Sequence, residues 1–295
     1  MTDRIERVTS LPSLRPRARD GHKGDYGKVL VVGGSRGMVG AVALAANAAL
    51  RGGAGLVTFA APETVQLTIA ALCPCATSIP LRCAVGGQLA PGSIRQMLAA
   101  AAQSDAVALG PGLAVGGAQE DLVRAALGQD RPLVLDADGL NHLTKIDEWP
   151  ALRRCPLILT PHPGEFARLT AKAIGEIQGN REGAAVAAAR EWAGAKSPPL
   201  VCALKGAGTV VTDGRRVYVN DTGNPGMATG GSGDVLTGLA AALLGQGLEP
   251  FDAAVLAVHV HGRAGDLASE RLGEVSLIAT DLLDFLPAAI KERTS

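Results

Sequence analysis

Lys28-Val29-Leu30-Val31-Val32-Gly33-Gly34-Ser35, followed by the Ala- and Leu-rich run Val39–Leu50 and the pair Gly52-Gly53, holds the whole fold in miniature. The first run is apolar without polar alternation, as in a strand covered on both faces. Gly33-Gly34 lets the chain turn sharply. The residues after it favour helix, and Gly52-Gly53 ends that helix. Leu56–Ala60 reads as the next strand. The same order of strand, turn and helix returns four times. It is seen at Asp105–Leu109 before Gly110-Pro111-Gly112, and at Pro132–Leu135 before Asp136-Ala137-Asp138-Gly139. It is seen again at Leu157–Leu159 before Thr160-Pro161-His162-Pro163-Gly164-Glu165, and at Leu200–Leu204 before Lys205-Gly206-Ala207-Gly208. Such repetition means βαβ units and a parallel sheet. Between Thr209 and Asn220 two short runs flank Gly214-Arg215, the pattern of a hairpin, which predicts an antiparallel sheet edge. Helical stretches at Val235–Leu244, Phe251–Arg271 and Ala279–Lys291 close the chain. The fold class expected is α/β: a three-layer α/β/α sandwich, its central sheet mostly parallel with an antiparallel edge hairpin. One domain spans residues 21–295, after a flexible lead-in over residues 1–20 that is polar and broken by Pro12 and Pro16.

Composition narrows the function classes. The chain has 295 residues, 28 Lys plus Arg and 28 Asp plus Glu, hence no net charge. A neutral chain lacks the electrostatic footprint of a nucleic-acid binder. An apolar fraction of 47% argues against disorder. No run of 18 residues is both apolar and free of charge, and the N-terminus has no apolar core of a secretory signal. A cytoplasmic protein with neither nucleic acid nor membrane as partner is expected. The five cysteines form no disulfide framework, and Cys73-Pro74-Cys75 lacks the second pair that structural zinc requires. The 38 glycines have no collagen-like period, so they must serve turns.

In open α/β sheets ligands bind beyond the carboxyl ends of the strands, where these glycine turns gather. The richest segment is Asn220-Asp221-Thr222-Gly223-Asn224-Pro225-Gly226-Met227-Ala228-Thr229-Gly230-Gly231-Ser232-Gly233-Asp234, which runs into an apolar helix. Gly231, Ser232 and Gly233 at a helix N-terminus form an anion hole suited to a transferring phosphoryl group. Asp234, in the first helical turn, has two readings: a base taking a proton from an attacking hydroxyl, or a helix cap. The preceding glycines favour the base. Lys205-Gly206-Ala207-Gly208-Thr209 offers backbone to a nucleotide and a lysine to its phosphates; the plain alternative is a β-turn with a surface lysine. The P-loop pattern is absent. Gly33-Gly34-Ser35-Arg36-Gly37-Met38-Val39-Gly40-Ala41 and Gly110 to Gly116 are looser glycine turns that place amides against a pyrophosphate or a polar ring substituent. His162, fixed between two prolines, points from a strand end. His259 and His261 lie two positions apart in a helix and read as structural. Asp136, Asp138, Asn141 and Glu165 either cap the next helix or hold a metal-bound water, Asp138 and Glu165 being the metal candidates.

Together, KGDYGKVLVVGGS, GMVGA, LGPGL, DADGLN, LTPHPGE, KGAGTVV and NPGMATGGSGDVLTG, in this order, resemble the ADP/ATP-dependent NAD(P)H-hydrate dehydratases, repair enzymes of the ribokinase-like superfamily. The resemblance runs from about Gly21 to the C-terminus. It implies a substrate that is the S-epimer of NADH or NADPH hydrated across the 5,6 bond of the nicotinamide. The ring hydroxyl is phosphorylated and phosphate then leaves, giving AMP if ADP is the donor. It implies Asp234 as base, and Lys205, Gly206, Ala207, Gly208, Thr209 and Gly233 as nucleotide contacts. Ala41, Gly112, His162 and Asp234 then contact the hydrate. Mg²⁺, a homo-oligomer (a tetramer by preference) and a partner NAD(P)HX epimerase also follow from it. Some relatives carry that epimerase ahead of this domain; too few residues precede Lys28 here, so a stand-alone dehydratase is expected. The alternative is a small-alcohol kinase of the same fold, acting on hydroxyethylthiazole or hydroxymethylpyrimidine. Those carry Asn where this chain has His162, which favours the dehydratase. A redox dehydrogenase is disfavoured by the missing G-x-G-x-x-G, and a non-catalytic sensor would have no need of Asp234.

Overall fold

The computed structural model describes residues 5–85, 87–194 and 197–294. The strands are β1 (Glu6–Arg7), β2 (Lys28–Val32), β3 (Leu56–Pro62), β4 (Thr77–Leu81), β5 (Ala106–Leu109), β6 (Leu133–Leu135), β7 (Leu157–Leu159), β8 (Leu200–Leu204), β9 (Val210–Thr212) and β10 (Arg216–Val219). The helices are α1 (Val39–Arg51), α2 (Glu63–Leu72), α3 (Gly92–Ala101), α4 (Gly117–Leu127), α5 (Asp138–Leu143) and α6 (Trp149–Leu152). They continue as α7 (Pro163–Thr170), α8 (Ile174–Gly179), α9 (Arg181–Trp192), α10 (Ser232–Gly245), α11 (Pro250–Leu272) and α12 (Ala279–Lys291).

All the strands join one sheet in the order β1-β10-β9-β8-β7-β6-β5-β2-β3-β4. Successive side chains of a strand face opposite ways, and the buried residues divide accordingly. Val29 and Val31, Ala106 and Ala108, Val134, Ile158, Val201 and Ala203 join the core under α1, α2, α10, α11 and α12. Leu30 and Val32, Val107 and Leu109, Leu133, Leu135, Leu157, Leu159 and Leu200 join the core under α3 to α9. The three layers read from the sequence are therefore present, and the unbroken apolar runs are explained by burial on both faces.

The hairpin is also present, with one refinement. Among the described residues only β9 runs against the rest, pairing antiparallel with both β8 and β10. β10 is not the outermost strand. β1, from the stretch expected to be a flexible lead-in, pairs parallel to it through Glu6 and Arg7. Leu14 of the same stretch is buried against the first core. Two polar residues have no apolar rhythm, so nothing in their pattern announces a strand.

The chain leaves β2 outward through β3 and β4, then returns to place β5 on the other side of β2. This reversal of strand order opens a crevice at the carboxyl ends of β2 and β5. The loops there touch: Gly34 N donates to Pro111 O at 2.9 Å, and a Cβ on Gly33 would collide with the same carbonyl.

Candidate active site

α10 starts at the centre of the site because its first turn has no side chain to bar it. Gly231 is the residue before the helix, with φ +95°, a left-handed conformation that glycine adopts without strain. Among the described residues no side chain caps this end, so the amides of the first turn, apart from Ser232 N at 3.5 Å from Thr229 O, are free to face a ligand. Asp234 lies inside the helix rather than at the cap. Among the described residues its carboxyl makes no hydrogen bond or ion pair. The capping role thus falls away, leaving a half-buried acid beside free amides. Burial, then the charge of Asp136, pushes the Asp234 carboxyl up to about 7, against the opposing pull of Lys205.

Lys205 follows β8, its amide donating to Pro161 O at 2.8 Å. Its ammonium donates to Asp136 Oδ1 at 2.6 Å and lies 3.9 Å from Glu165 Oε2. Burial works against its charge, but Asp136 and Glu165 outweigh burial and raise its pKa, so it remains a cation. The other Asp136 oxygen accepts from Thr237 Oγ1 at 2.6 Å. The loop beyond Lys205 turns at Gly206 (φ +143°) and Gly208 (φ +64°), with Thr209 Oγ1 donating to Gly206 O at 3.0 Å. Arg181 Nη2 donates to the carbonyls of Leu204 and Lys205 at 3.0 and 3.2 Å, fixing the loop from behind.

His162 caps α7. Its Nδ1 accepts from Gly164 N at 3.0 Å and Glu165 N at 3.3 Å, so the ring proton sits on Nε2. Glu165 returns the favour by accepting from His162 N at 2.8 Å. Burial, with Lys205 and Arg168 nearby, lowers the imidazole pKa, leaving a neutral ring with one N–H to offer. Burial pushes Glu165 up to about 7 despite Lys205.

A cavity of about 760 Å³, within the range of small-molecule sites, opens beside these groups: Lys205 and His162 line it, whereas Asp136, Glu165, Gly231 and Asp234 lie outside its lining. Lys205 to Thr209, Ser232, Gly233, His162 and the loop Asn220–Thr229 line it. His261, read from sequence as structural, also reaches it and donates from Nε2 to Ser232 O at 2.9 Å. Burial lowers His261 to about 4, so it donates as a neutral ring. Ala41 and Gly112 do not line this cavity. They meet each other at the crevice between β2 and β5, where a Cβ on Gly112 would stand 3.2 Å from that of Ala41. Gly112 has φ +60°.

Residues 29–288 match the sequence model of the NAD(P)H-hydrate dehydratases. The chain belongs to the NAD(P)H-hydrate dehydratase family. A bifunctional NAD(P)H-hydrate repair enzyme of Moorella thermoacetica is 47% identical over 94% of this chain and 52% of its own length. The chain spans about half the length of the curated relatives it matches. Among solved structures, the ADP/ATP-dependent NAD(P)H-hydrate dehydratase of Bacillus subtilis, co-crystallized with ATP/Mg²⁺, is 31% identical with a TM-score of 0.80, covering 97% of this chain and 99% of that one. The hydroxyethylthiazole kinase of Pyrococcus horikoshii, 20% identical over 90% of this chain and 89% of its own with a TM-score of 0.58, shares the fold.

Two features of this candidate site were not legible beforehand. Asp136 lies in the DADGLN motif, but its partners are 69 and 101 residues away. His261 sits in a run of apolar helix that carries no site signal. Magnesium takes oxygen ligands, keeps several waters and uses few carboxylates besides substrate phosphates. Among the described residues no group of three or more His, Cys, Asp or Glu forms a ready cage. Asp138 fits poorly: its Oδ2 accepts from Ala114 N at 2.8 Å and its Oδ1 from Asn141 Nδ2 at 3.2 Å. Glu165 fits better, since its Oε1 has only His162 Nε2 near it, at 3.4 Å.

Proposed function

We propose that this protein is an ADP-dependent NAD(P)H-hydrate dehydratase, a carbon–oxygen lyase that repairs the S-epimer of hydrated NADH or NADPH. The observation carrying the reading is Asp234: an unpartnered carboxyl, pushed up to about 7, in the first turn of an uncapped helix beside a lysine. The family and the Bacillus relative co-crystallized with ATP/Mg²⁺ support it.

In this reading the nucleotide lies along Lys205, Gly206, Ala207, Gly208 and Thr209, its terminal phosphoryl group at Gly231, Ser232 and Gly233. The hydrate reaches Asp234 from the side of Ala41, Gly112 and His162, the last offering its Nε2–H. Asp234 takes the proton of the ring hydroxyl as that oxygen bonds to the terminal phosphorus and the bond to the leaving phosphate breaks, releasing AMP from ADP. The carbon–oxygen bond then breaks, phosphate departs with its electron pair, and a proton lost from the adjacent ring carbon restores the double bond. The helix amides and Lys205 hold the charge that gathers on the phosphoryl oxygens. Glu165 would hold Mg²⁺ through water, and that ion would neutralise phosphate charge. A cytoplasmic homo-oligomer, a tetramer by preference, working beside an NAD(P)HX epimerase completes the proposal.

The test is incubation with hydrated NADH, Mg²⁺ and either ADP or ATP while dihydronicotinamide absorbance is followed. Recovery with ADP faster than with ATP is expected. No recovery with either donor removes the proposal; recovery with ATP alone corrects the donor.

A further inference from the structure

Asp136 is 1% exposed, where a lone carboxylate is costly. It is accompanied by two donors, Lys205 Nζ on one oxygen and Thr237 Oγ1 on the other, each at 2.6 Å. These three residues come from the end of β6, the loop after β8 and the second turn of α10. Thr237 Oγ1 also lies 3.0 Å from Gly233 O, one turn back. Asp136 therefore ties the lysine to the start of α10. A Cβ on Gly233 would stand at ordinary contact distance, 3.4 Å from Lys205 Nζ and 3.6 Å from Asp136 Oδ2, which places both groups beside the first turn of α10.

Asp234, the next residue, feels the charge of Lys205 but does not pair with it. A long, rotatable ammonium pairs with whichever carboxylate offers the better hydrogen bond. Here Asp136 wins. Were Asp136 missing, the remaining acids facing Lys205 would be Glu165 and Asp234. Asp234 paired to an ammonium would be a poorer proton acceptor.

We propose that Asp136 is a positioning residue, which anchors the Lys205 ammonium at the N-terminus of α10 and so keeps the Asp234 carboxyl unpaired and open to a hydroxyl. The inference rests on Asp234 being the base. The groups facing Asp234 are Asp136, Lys205, Asp138 and Glu165, and of these only Asp136 has Lys205 at hydrogen-bond distance.

The experiment is a carboxyl titration by NMR of protein labelled with ¹³C at aspartate carboxyls, with the Asp234 signal assigned by its loss in Asp234→Asn. It is run beside kcat against pH with the hydrated NADH substrate. In Asp136→Asn the Asp234 midpoint falls by about one pH unit or more, since a raising charge is lost and a lowering one is freed. The acid limb of kcat moves the same way, and the plateau kcat falls about 100-fold. Asp136→Glu restores part of both. Loss of the Asp136 charge lowers the midpoint by itself, so the anchor is read from Lys205→Gln, which must raise the Asp234 midpoint more in the Asp136→Asn background than in the wild type; an equal rise in both overturns the proposal. An unchanged midpoint or an unchanged plateau kcat in folded Asp136→Asn overturns the proposal. If that variant does not fold, Asp136→Glu, which keeps the charge and moves the anchor, is titrated instead, and an unchanged Asp234 midpoint with an unchanged plateau kcat overturns the proposal. A shifted midpoint in a protein whose wild type never restores NADH supports the role of Asp136 and removes the dehydratase reading instead.

Discussion

Asp234 and His162 carry the residue-scale argument. As the proposed base, the Asp234 carboxyl, pushed up to about 7, must be ionised to take a proton, so kcat/KM should fall as pH drops below about 7. Asp234→Asn removes turnover by about 10²-fold or more while nucleotide binding persists, measured by calorimetric titration beside the absorbance assay. Wild-type turnover in that variant takes the base role away from Asp234. The same shift has a stability consequence of fixed sign. An acid whose folded pKa is raised favours folding below its unfolded pKa, and that contribution is lost as pH rises through the folded value. Asp234 and Glu165, both at about 7, thus penalise the fold increasingly from about pH 4 to about pH 7 and in full above that. Asp234→Asn should therefore raise stability at pH 8 by ~2 kcal/mol relative to its effect at pH 4, read from urea unfolding at both pH values. His162→Ala loses the cap of α7 and the Nε2–H together; it should weaken the hydrate more than the nucleotide, and equal loss for both contradicts its placement.

At the scale of the element, the site depends on how closely α10 lies on α1. A Cβ on Gly238 would collide with the backbone of Ala45, and the facing surfaces are built from Ala45, Ala46, Ala49, Ala241 and Ala242. Such a contact cannot open locally, because the two backbones already touch. Gly238→Ala should cost about 1–3 kcal/mol of stability in thermal unfolding and lower kcat as the start of α10 shifts off Asp136. A variant with wild-type stability and kcat shows that the helices can part without harm. This contact also marks the limit of what could be read in advance. β2, β5, β6, β7 and β8 were legible because burial on both faces writes an unbroken apolar run into the chain. The glycines at 206, 208 and 231 were legible as turns because their backbone takes positive φ. β1 was not, since Glu6 and Arg7 join the sheet through backbone groups that every residue has. Asp136 was legible as a residue at a strand end, and its partnership with Lys205 and Thr237 was not, because sheet order decides which strand ends become neighbours.

Across the whole molecule, the 28 basic and 28 acidic residues cancel, and in the site a single lysine faces the acids Asp136, Glu165 and Asp234. Its lysine is already paired to a buried carboxylate. The remaining positive potential comes from backbone amides at the start of α10 and along the loop after Lys205, which are fixed by the fold rather than carried on mobile side chains. Exposed charges are screened within about 10 Å at 0.1 M salt, whereas dipoles and charges inside a cavity are screened far less. A protein that drew its nucleotide in with a basic surface would lose affinity steeply as salt rises. This one should not. The dissociation constant for ADP, measured by calorimetry with Mg²⁺ held constant, should change less than about threefold between 50 mM and 500 mM KCl. A tenfold weakening would mean that surface side chains supply the attraction and that the paired lysine and helix amides are only part of the anion site. Lys205→Gln separates the two contributions: the backbone account requires that variant to keep its weak salt dependence even as its affinity drops.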